Sequence, residues 1–341
     1  MTIVGSGAMP AGPAAPPVQS GPSTVLVTSR SFSGGTRDLV AELEAAGLTV
    51  VSGATDHAPD ALAGPLSDAV AWIAGTAPVT AAHLQGAPHL KVLARYGVGV
   101  DAVDLDAAAV RGIVVTNTPG ANAGAVADHA VALMLASLRG VARADRAVRT
   151  GDWHAWRTHE LGSLTVGLVG FGRIGQATAC RLAGFGATVL AADPWVDLRV
   201  ARDSGVVLAT VDALPDHCDV VSLHAPGGQV IIDAPWLGRT RSPFLLVNTA
   251  RADLVDEPAL VTALRANPGL HYAADALLHE HGAGEPSPLL APDLAERVVV
   301  TPHLAANTVE AVDLMGSMAV SNVLAVLGGG APPNPVLPRR S

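Results

Sequence analysis

The sequence predicts an α/β protein made of two doubly wound, parallel-sheet domains with a cleft between them. Short apolar, β-branched runs alternate with Ala- and Leu-rich stretches along the chain, as in the strand–helix–strand units that build parallel sheets. The runs are apolar throughout, as expected for strands that helices cover on both faces. A length of 341 residues provides for two domains with separate cores. We therefore expect two Rossmann-like or flavodoxin-like domains.

Eleven segments fit the strand pattern. In chain order they are Val25–Thr28, Leu48–Ser52, Val70–Ala74, Val92–Arg95, Ile113–Thr116, Thr165–Val169, Thr188–Ala192, Asp219–Leu223, Phe244–Asn248, His271–Ala274 and Arg297–Thr301.

Two longer helical segments, Ala121–Arg139 and Ala305–Leu327, interrupt this alternation. Each falls where a chain could cross between two sheets, and the second follows the final strand with nothing after it that could pack against it. We therefore predict a discontinuous domain of residues 23–118 plus 308–341 and a continuous domain of residues 119–307. The alternative is two sequential domains divided near residue 160.

Composition excludes several classes of protein. The formal net charge of −9 argues against nucleic acid or an anionic membrane as a partner. Residues 1–22 are rich in Gly, Pro and Ala without the pattern of a secretory signal, so we expect a flexible tail. We expect no membrane span, because no long uninterrupted apolar run is present. Cys180 and Cys218 form no CxxC pair, and no segment has metal-ligand spacing. We therefore expect a cytoplasmic protein without a metal.

A glycine motif follows one of the predicted strands. The segment Thr165–Val169 leads into Gly170-x-Gly172-x-x-Gly175, and a helical stretch comes next. The first glycine allows a tight turn, the second lets a pyrophosphate approach the backbone, and the third lets the helix pack on the strand. Asp193, at the end of the next strand, would accept hydrogen bonds from ribose hydroxyls and repel a 2′-phosphate. The motif therefore predicts a dinucleotide site that prefers NAD to NADP.

Charged side chains follow three of the later strands. They are Arg251, Asp275, Glu280 and His303. Because ligands bind outside the carboxyl ends of parallel strands, we expect these side chains to meet at one edge of the sheet. A histidine can transfer a proton at neutral pH, and a carboxylate beside it orients the ring and favours its charged form. An arginine can hold a carboxylate and polarise a neighbouring carbonyl. The set predicts hydride-transfer chemistry on an oxo or hydroxy acid.

At these residues the chain resembles the D-isomer-specific 2-hydroxyacid dehydrogenase family. The matching segments are Tyr96–Asp101, Gly112–Asn122, Val126–His129, the glycine motif, Val247–Arg251, Val255–Glu257 and Thr301–His303. The resemblance implies that residues 23–118 plus 308–341 bind the substrate and that residues 119–307 bind NAD. It also implies a homodimer formed through the NAD-binding domains.

The resemblance also implies a role for individual residues. Arg251 would anchor the substrate, His303 would act as acid and base, and Glu280 would support His303. The backbone of Val98 and Gly99 would hold the substrate carboxylate. The implied cofactor contacts are Gly170, Gly172, Arg173, Ile174, Gly175, Asp193, Ala225, Thr249, Ala250, Asp275 and Ala306.

The chain departs from the family pattern in three places. Ala225 stands where the family has threonine, and the loop behind it, residues 227–229, is short. Ala252 and Asp253 follow Arg251 where the family has two glycines. The stretch from Glu280 to Pro286 is also unusual, so that Glu285 is an alternative to Glu280 as the partner of the histidine; we prefer Glu280 because its distance from Asp275 needs no insertion.

The leading hypothesis for function is an NAD-dependent oxidoreductase that interconverts a 2-keto acid and a D-2-hydroxy acid. One alternative is a dehydrogenase of an unusual acid on the same fold, namely a phosphonate-bearing hydroxy acid, phosphite or formate. The other is a non-catalytic interaction protein that senses NAD.

Overall fold

The computed structural model describes residues 23–278, 280 and 285–336; the tail predicted at residues 1–22 lies outside the described residues. The chain divides into two compact units. The first comprises the chain up to Thr118 and from Met315 onward, and the second is the continuous segment Pro119–Leu314. Each unit contains one sheet, and every strand pair in both sheets is parallel.

The first unit is a five-stranded sheet with the order β2-β1-β3-β4-β5, which is the flavodoxin-like order. All six residues of its β3 strand are buried, so this strand forms the centre of the core, with Trp72, Leu26 and Leu93 among the core side chains. The strands are β1 (Thr24–Val27), β2 (Thr49–Ser52), β3 (Ala69–Ala74), β4 (Val92–Arg95) and β5 (Val114–Thr116). The helices between them are α1 (Leu39–Ala45), α2 (Pro59–Asp68), α3 (Ala81–Gln85) and α4 (Leu105–Val110).

The second unit has seven strands: β6 (Thr165–Val169), β7 (Thr188–Ala192), β8 (Val207–Leu208), β9 (Val220–Leu223), β10 (Phe244–Asn248), β11 (Leu270–Ala274) and β12 (Val298–Val300). Its helices are α5 (Ala123–Leu138), α6 (Val141–Arg149), α7 (Arg173–Phe185), α8 (Leu198–Asp203), α9 (Leu214–His217), α10 (Ala234–Leu237) and α11 (Glu257–Ala266). The order β12-β11-β10-β9-β6-β7-β8 is the Rossmann order with one added strand. The direction of strand addition reverses between β6 and β9, where such sheets bind ligands.

The α/β class and the parallel sheets predicted from the sequence are confirmed, and each of the eleven predicted segments overlaps a strand. The strand β8 was not predicted from the sequence, because two exposed residues at a sheet edge are too few to form a recognisable apolar run. The passage from the second unit back to the first lies between Leu314 and Met315, not at residue 308. The roles of the two units stay a prediction.

The last long helix, α12 (Val309–Leu327), begins later than the predicted Ala305. Its first turn is fixed by Thr308, whose hydroxyl accepts the Ala311 amide at 3.2 Å. By length and composition this helix could cross a membrane. Several of its side chains, including Met315, Ala319 and Val323, are buried within the protein, and a core helix has the same apolar composition.

Candidate active site

The turn from β6 into α7 requires glycine at two positions. Gly170 has a φ of +91°, and a Cβ atom there would lie 2.7 Å from the carbonyl carbon of His224. A Cβ atom on Gly175 would collide with the carbonyl oxygen of Gly170. By contrast, a Cβ atom on Gly172 would meet no described atom within 4 Å. The turn is therefore closed on its inner side and open at Gly172, where a ligand has to approach the backbone.

Helix α7 points its N-terminus at this turn. It has 13 residues, and no side chain caps it at Gly172, so its first amides are directed outward without a capping acceptor. Arg173 is exposed and Ile174 is half-buried in the first turn. An uncapped helix N-terminus next to a glycine turn fits the pyrophosphate of a dinucleotide, because free N–H groups and the helix dipole both favour an anion.

The carboxylate of Asp193 lies against the same turn. Its Oδ2 atom accepts the Phe171 amide at 2.7 Å, and its Oδ1 atom accepts the Trp195 amide at 2.9 Å. Both bonds fix the direction of the carboxylate at the end of β7. Each oxygen of an ionised carboxylate can accept more than one hydrogen bond, so the group can still bind ribose hydroxyls.

Two polar side chains at the neighbouring strand ends are buried without a hydrogen-bond partner among the described residues. They are Thr249, through its hydroxyl, and His224, through both ring nitrogens. Burial lowers the pKa of His224 to about 4, so its ring is neutral at neutral pH. Buried polar groups without partners are costly, and a polar cofactor at this edge would supply the missing partners. Thr249 was singled out from the sequence, whereas His224 was not among the predicted site residues.

His303 and Glu280 form a direct contact. The ring Nδ1 atom lies 2.8 Å from Glu280 Oε2, and Glu280 Oε1 accepts the Leu277 amide at 3.1 Å. This hydrogen bond, assisted by the charges of Glu280 and Asp275, raises the pKa of His303 against the opposing effects of burial and of Arg251. Because Nδ1 is hydrogen-bonded to Glu280, the Nε2 atom is the ring nitrogen that remains for proton transfer. Glu285 is exposed, and it is Glu280 whose carboxylate contacts the ring.

Asp275 organises the loop that carries His303. Its oxygens accept the amides of Leu304 at 3.0 Å and Ala305 at 2.8 Å, and the side chain is almost fully buried. Burial raises the pKa of Asp275, but hydrogen bonds from His129, Thr301 and the two amides outweigh this effect, and the net shift is downward. Both oxygens of Asp275 thus accept hydrogen bonds from groups of the protein itself. The predicted contact of Asp275 with the nicotinamide amide stays a prediction. Ala306, the next residue of this loop after Ala305, is half-buried.

Arg251 is placed by the end of β10. The Asn248 side chain donates to the Arg251 carbonyl at 2.8 Å and accepts the Ala250 amide at 3.0 Å, which fixes the turn that follows the strand. One terminal nitrogen of Arg251 donates to the Ala250 carbonyl at 2.9 Å. The guanidinium is close enough to lower the pKa of His303 through its charge. The second unit therefore brings Arg251, Glu280 and His303 together.

Two of the departures from the family pattern form one feature in the structure. The Asp253 carboxylate accepts the Gly228 amide at 2.7 Å. A Cβ atom on Gly227 would lie 2.8 Å from an Asp253 oxygen and 3.0 Å from Arg251 Cγ. The short glycine loop therefore folds over Asp253, beside the half-buried Ala225, and has no room for a side chain at Gly227.

In the first unit, the loop from Gly97 to Gly99 is held by its carbonyl groups. The Thr118 amide donates to Gly97, the Asn117 side chain to Val98, and the Arg95 guanidinium to Gly99, at 3.0, 2.8 and 3.0 Å. Among the described residues, no acceptor takes the amides of Val98 and Gly99. Such an arrangement leaves N–H groups for an anion, as predicted for the substrate carboxylate.

No group of three His, Cys, Asp or Glu side chains that could hold a metal occurs among the described residues.

The fold and the glycine turn define a dinucleotide-binding α/β protein. The sequence profile of the D-isomer specific 2-hydroxyacid dehydrogenase, NAD binding domain, matches residues 131–305. D-3-phosphoglycerate dehydrogenase from Mycobacterium leprae (strain TN) is 42% identical over 266 residues, which cover 76% of this chain and 49% of that protein. Glyoxylate reductase from Thermofilum pendens (strain DSM 2475 / Hrk 5) is 38% identical over 265 residues, covering 73% and 76%. The crystal structure of the TT0316 protein from Thermus thermophilus is 36% identical, with a TM-score of 0.81 and coverage of 92% and 100%.

The chain belongs to the D-isomer specific 2-hydroxyacid dehydrogenase family, whose cofactor is NAD. The family and the cofactor predicted from the sequence are thereby confirmed. The chain spans about half the length of the phosphoglycerate dehydrogenases that it matches.

Proposed function

We propose that this protein is an NAD-dependent oxidoreductase that interconverts a D-2-hydroxy acid and the corresponding 2-oxo acid. The observation that carries the proposal is the contact of His303 with Glu280 at 2.8 Å, near Arg251 and in the same unit as the glycine turn. When bound, NAD supplies or accepts the hydride. The side chains of this chain then have to hold the substrate and move one proton.

The proposed role of each residue follows from the groups that its side chain or backbone offers to the substrate. In reduction, His303 Nε2 gives its proton to the substrate oxygen while Glu280 holds the Nδ1–H group, and the ring becomes neutral; in oxidation the neutral ring takes the proton back. The Arg251 guanidinium binds the substrate carboxylate and draws electron density from the adjacent carbonyl. The amides of Val98 and Gly99 bind the same carboxylate.

The substrate is tested with a panel of 2-oxo acids. The names of the relatives, phosphoglycerate dehydrogenase and glyoxylate reductase, make phosphorylated 2-oxo acids and glyoxylate the first to examine, with a phosphonate-bearing acid as a further member. The measurement is the loss of reduced-nicotinamide absorbance with NADH. Turnover of at least one acid, strongly reduced in His303→Ala, supports the proposal. Tight NAD binding without turnover of any acid would favour the NAD-sensing alternative. Formation of NADH from NAD with phosphite or formate would favour an unusual acid.

Replacing Asp193 with alanine will raise the KM for NAD and weaken discrimination against NADP. The carboxylate that is fixed at the β7 end by Phe171 and Trp195 is lost, and with it the acceptor for ribose hydroxyls and the charge that repels a 2′-phosphate. The measurement is kcat/KM for both cofactors at one substrate concentration. An unchanged ratio of the two values would contradict the assignment. Asp197→Ala, which removes the N-cap of α8, is the matched control.

Replacing Glu280 with glutamine will move the pH profile of reduction to lower pH. Reduction needs protonated His303, and its activity falls as the pH rises through the pKa of that ring. Glu280 raises this pKa, so its neutral replacement lets the ring lose its proton earlier. The profile of kcat between about pH 5 and 9 measures the shift. Glu285→Gln is the control, and a shift in Glu285→Gln instead would transfer the role to that residue.

We also propose a cytoplasmic homodimer formed through the NAD-binding domains. The exposed apolar residues on and after α6, which include Val141, Val148 and Trp153, support an interface there, and the free thiols of Cys180 and Cys218 are typical of a reducing compartment. Sedimentation velocity should give a dimer that Trp153→Ser weakens. A monomeric wild-type protein would contradict the proposal.

A further inference from the structure

A chain of hydrogen bonds joins helix α5 to the loop of His303. His129 Nε2 on α5 lies 2.9 Å from Thr301 Oγ1, and Thr301 Oγ1 lies 2.5 Å from Asp275 Oδ1. The His129 nitrogen is also 3.5 Å from the same carboxylate oxygen. The three residues are far apart in sequence and belong to one unit, and Asp275 is only 3% exposed.

The directions of these bonds can be assigned from donor capacity. A carboxylate only accepts, so the short Thr301–Asp275 bond uses the single hydrogen of the hydroxyl. The hydroxyl oxygen must then accept from His129, which places a hydrogen on Nε2 of that ring. An alternative acceptor for Thr301 exists, since the Ala274 carbonyl lies 3.4 Å from its hydroxyl. The His129 donor therefore favours the orientation in which Thr301 donates to Asp275.

Asp275 connects this chain of hydrogen bonds to the loop of His303. It accepts the amides of Leu304 and Ala305, the two residues directly after His303. The backbone of His303 has a φ of +53°, a left-handed conformation that histidine seldom adopts and that the surrounding contacts must maintain. The carboxylate of Asp275 thus helps to hold the loop in the conformation from which the ring reaches Glu280, together with the hydrogen bond from the His303 amide to the Thr301 carbonyl.

We propose that His129 is a positioning residue, which acts through Thr301 and Asp275 to hold the His303 loop and ring in place. The inference rests on the proposed function, because it treats His303 as the acid–base group. The charged groups that act on the His303 ring are Glu280, Asp275 and Arg251. His129 is a titratable group that contacts Asp275, so its effect on His303 is exerted through Asp275.

Two pairs of variants test the inference. His129→Leu removes the N–H donor and Thr301→Val removes the hydroxyl that form the chain of hydrogen bonds. His129→Gln and Thr301→Ser retain an N–H donor and a hydroxyl, respectively. We expect kcat to fall about tenfold in the first pair, by analogy with the loss of hydrogen-bond partners of metal ligands, with the KM for NADH unchanged. Activity should be largely retained in the second pair. His89→Gln, at an exposed position in the first unit, is the control.

A second measurement does not depend on turnover. In protein with isotopically labelled histidine, the NMR titration of the His303 ring should move to lower pH in His129→Leu and Thr301→Val but not in His129→Gln. The inference is overturned if His129→Leu titrates and turns over like His89→Gln, or if the Gln and Leu variants lose activity equally together with thermal stability. If no 2-oxo acid is turned over by the wild-type protein while the His303 titration still moves, the proposed function fails and the coupling stands.

Discussion

Replacing His303 with alanine will lower kcat for 2-oxo acid reduction by roughly a thousandfold, about 4 kcal/mol of activation free energy. The Nδ1 atom of the ring is hydrogen-bonded to Glu280, and that carboxylate raises the pKa of His303, which favours the protonated form that reduction needs as its proton donor. A general acid contributes about 10²- to 10⁴-fold, and water would have to replace it. Steady-state kinetics with NADH and the best 2-oxo acid of the panel measure the loss.

The cofactor site provides the control for this result. The hydrogen bonds described for His303 go to Glu280 and to the Thr301 carbonyl, whereas Asp193 bonds to the glycine turn at Phe171. The affinity for NADH, measured by quenching of protein fluorescence or by calorimetry, should therefore stay within about twofold. His89→Ala should behave as the wild-type protein. Turnover within about tenfold of wild type in His303→Ala would refute the acid–base role, whereas loss of NADH binding would show that the substitution had disturbed the unit as a whole.

The sequence predicted the strands well because burial leaves a clear pattern. Every residue of β3, β4 and β10 is buried, and a run that is apolar on both faces is evident without a structure. The glycine turn was equally predictable, because Gly170 and Gly175 have no sterically acceptable substitutes. The edge of the sheet where ligands bind then follows from the parallel order, which brings strand ends together.

The supporting groups around the site could not be predicted in the same way. The segment Val126–His129 is part of the family resemblance, but the contact of His129 with Thr301 spans 172 residues, and neither the helix pattern nor the resemblance indicates it. The left-handed backbone of His303 has no sequence signature either, since no glycine marks it and the hydrogen bonds around it come from Thr301 and Asp275. Such contacts depend on the exact packing of α5 on the sheet, which apolar periodicity does not encode.

The loop of Gly227 and Gly228 shows that two departures from a family pattern can lie in contact in the structure. The two glycines and Asp253 differ from the family separately in the sequence, but in the structure the Asp253 carboxylate accepts the Gly228 amide and occupies the space beside Gly227. The Asp253–Gly228 hydrogen bond ties this loop to the turn after Arg251. Arg251, which we propose binds the substrate, thus lies two residues from a side chain that holds this loop.

Replacing Arg251 with methionine will lower kcat/KM for the 2-oxo acid by about a thousandfold, again about 4 kcal/mol. The guanidinium fork can bind a carboxylate through two parallel, charge-assisted hydrogen bonds and polarise the carbonyl beside it, so both binding and chemistry are weakened. Lysine should recover only part of this loss, because it retains the charge but not the fork. Initial rates over a range of 2-oxo acid concentrations separate the rise in KM from the fall in kcat.

Two effects of the Arg251 variants can be separated from damage to the fold. Arg251 lowers the pKa of His303 through its charge, so Arg251→Met should also shift the loss of the remaining activity to higher pH, opposite to the shift expected for Glu280→Gln. Arg111→Met, at the exposed end of α4, is the matched control and should leave both kinetic constants unchanged. If Arg251→Met retained the wild-type kcat/KM, the substrate carboxylate would have to be bound elsewhere, and the amides of Val98 and Gly99 alone would have to account for its recognition.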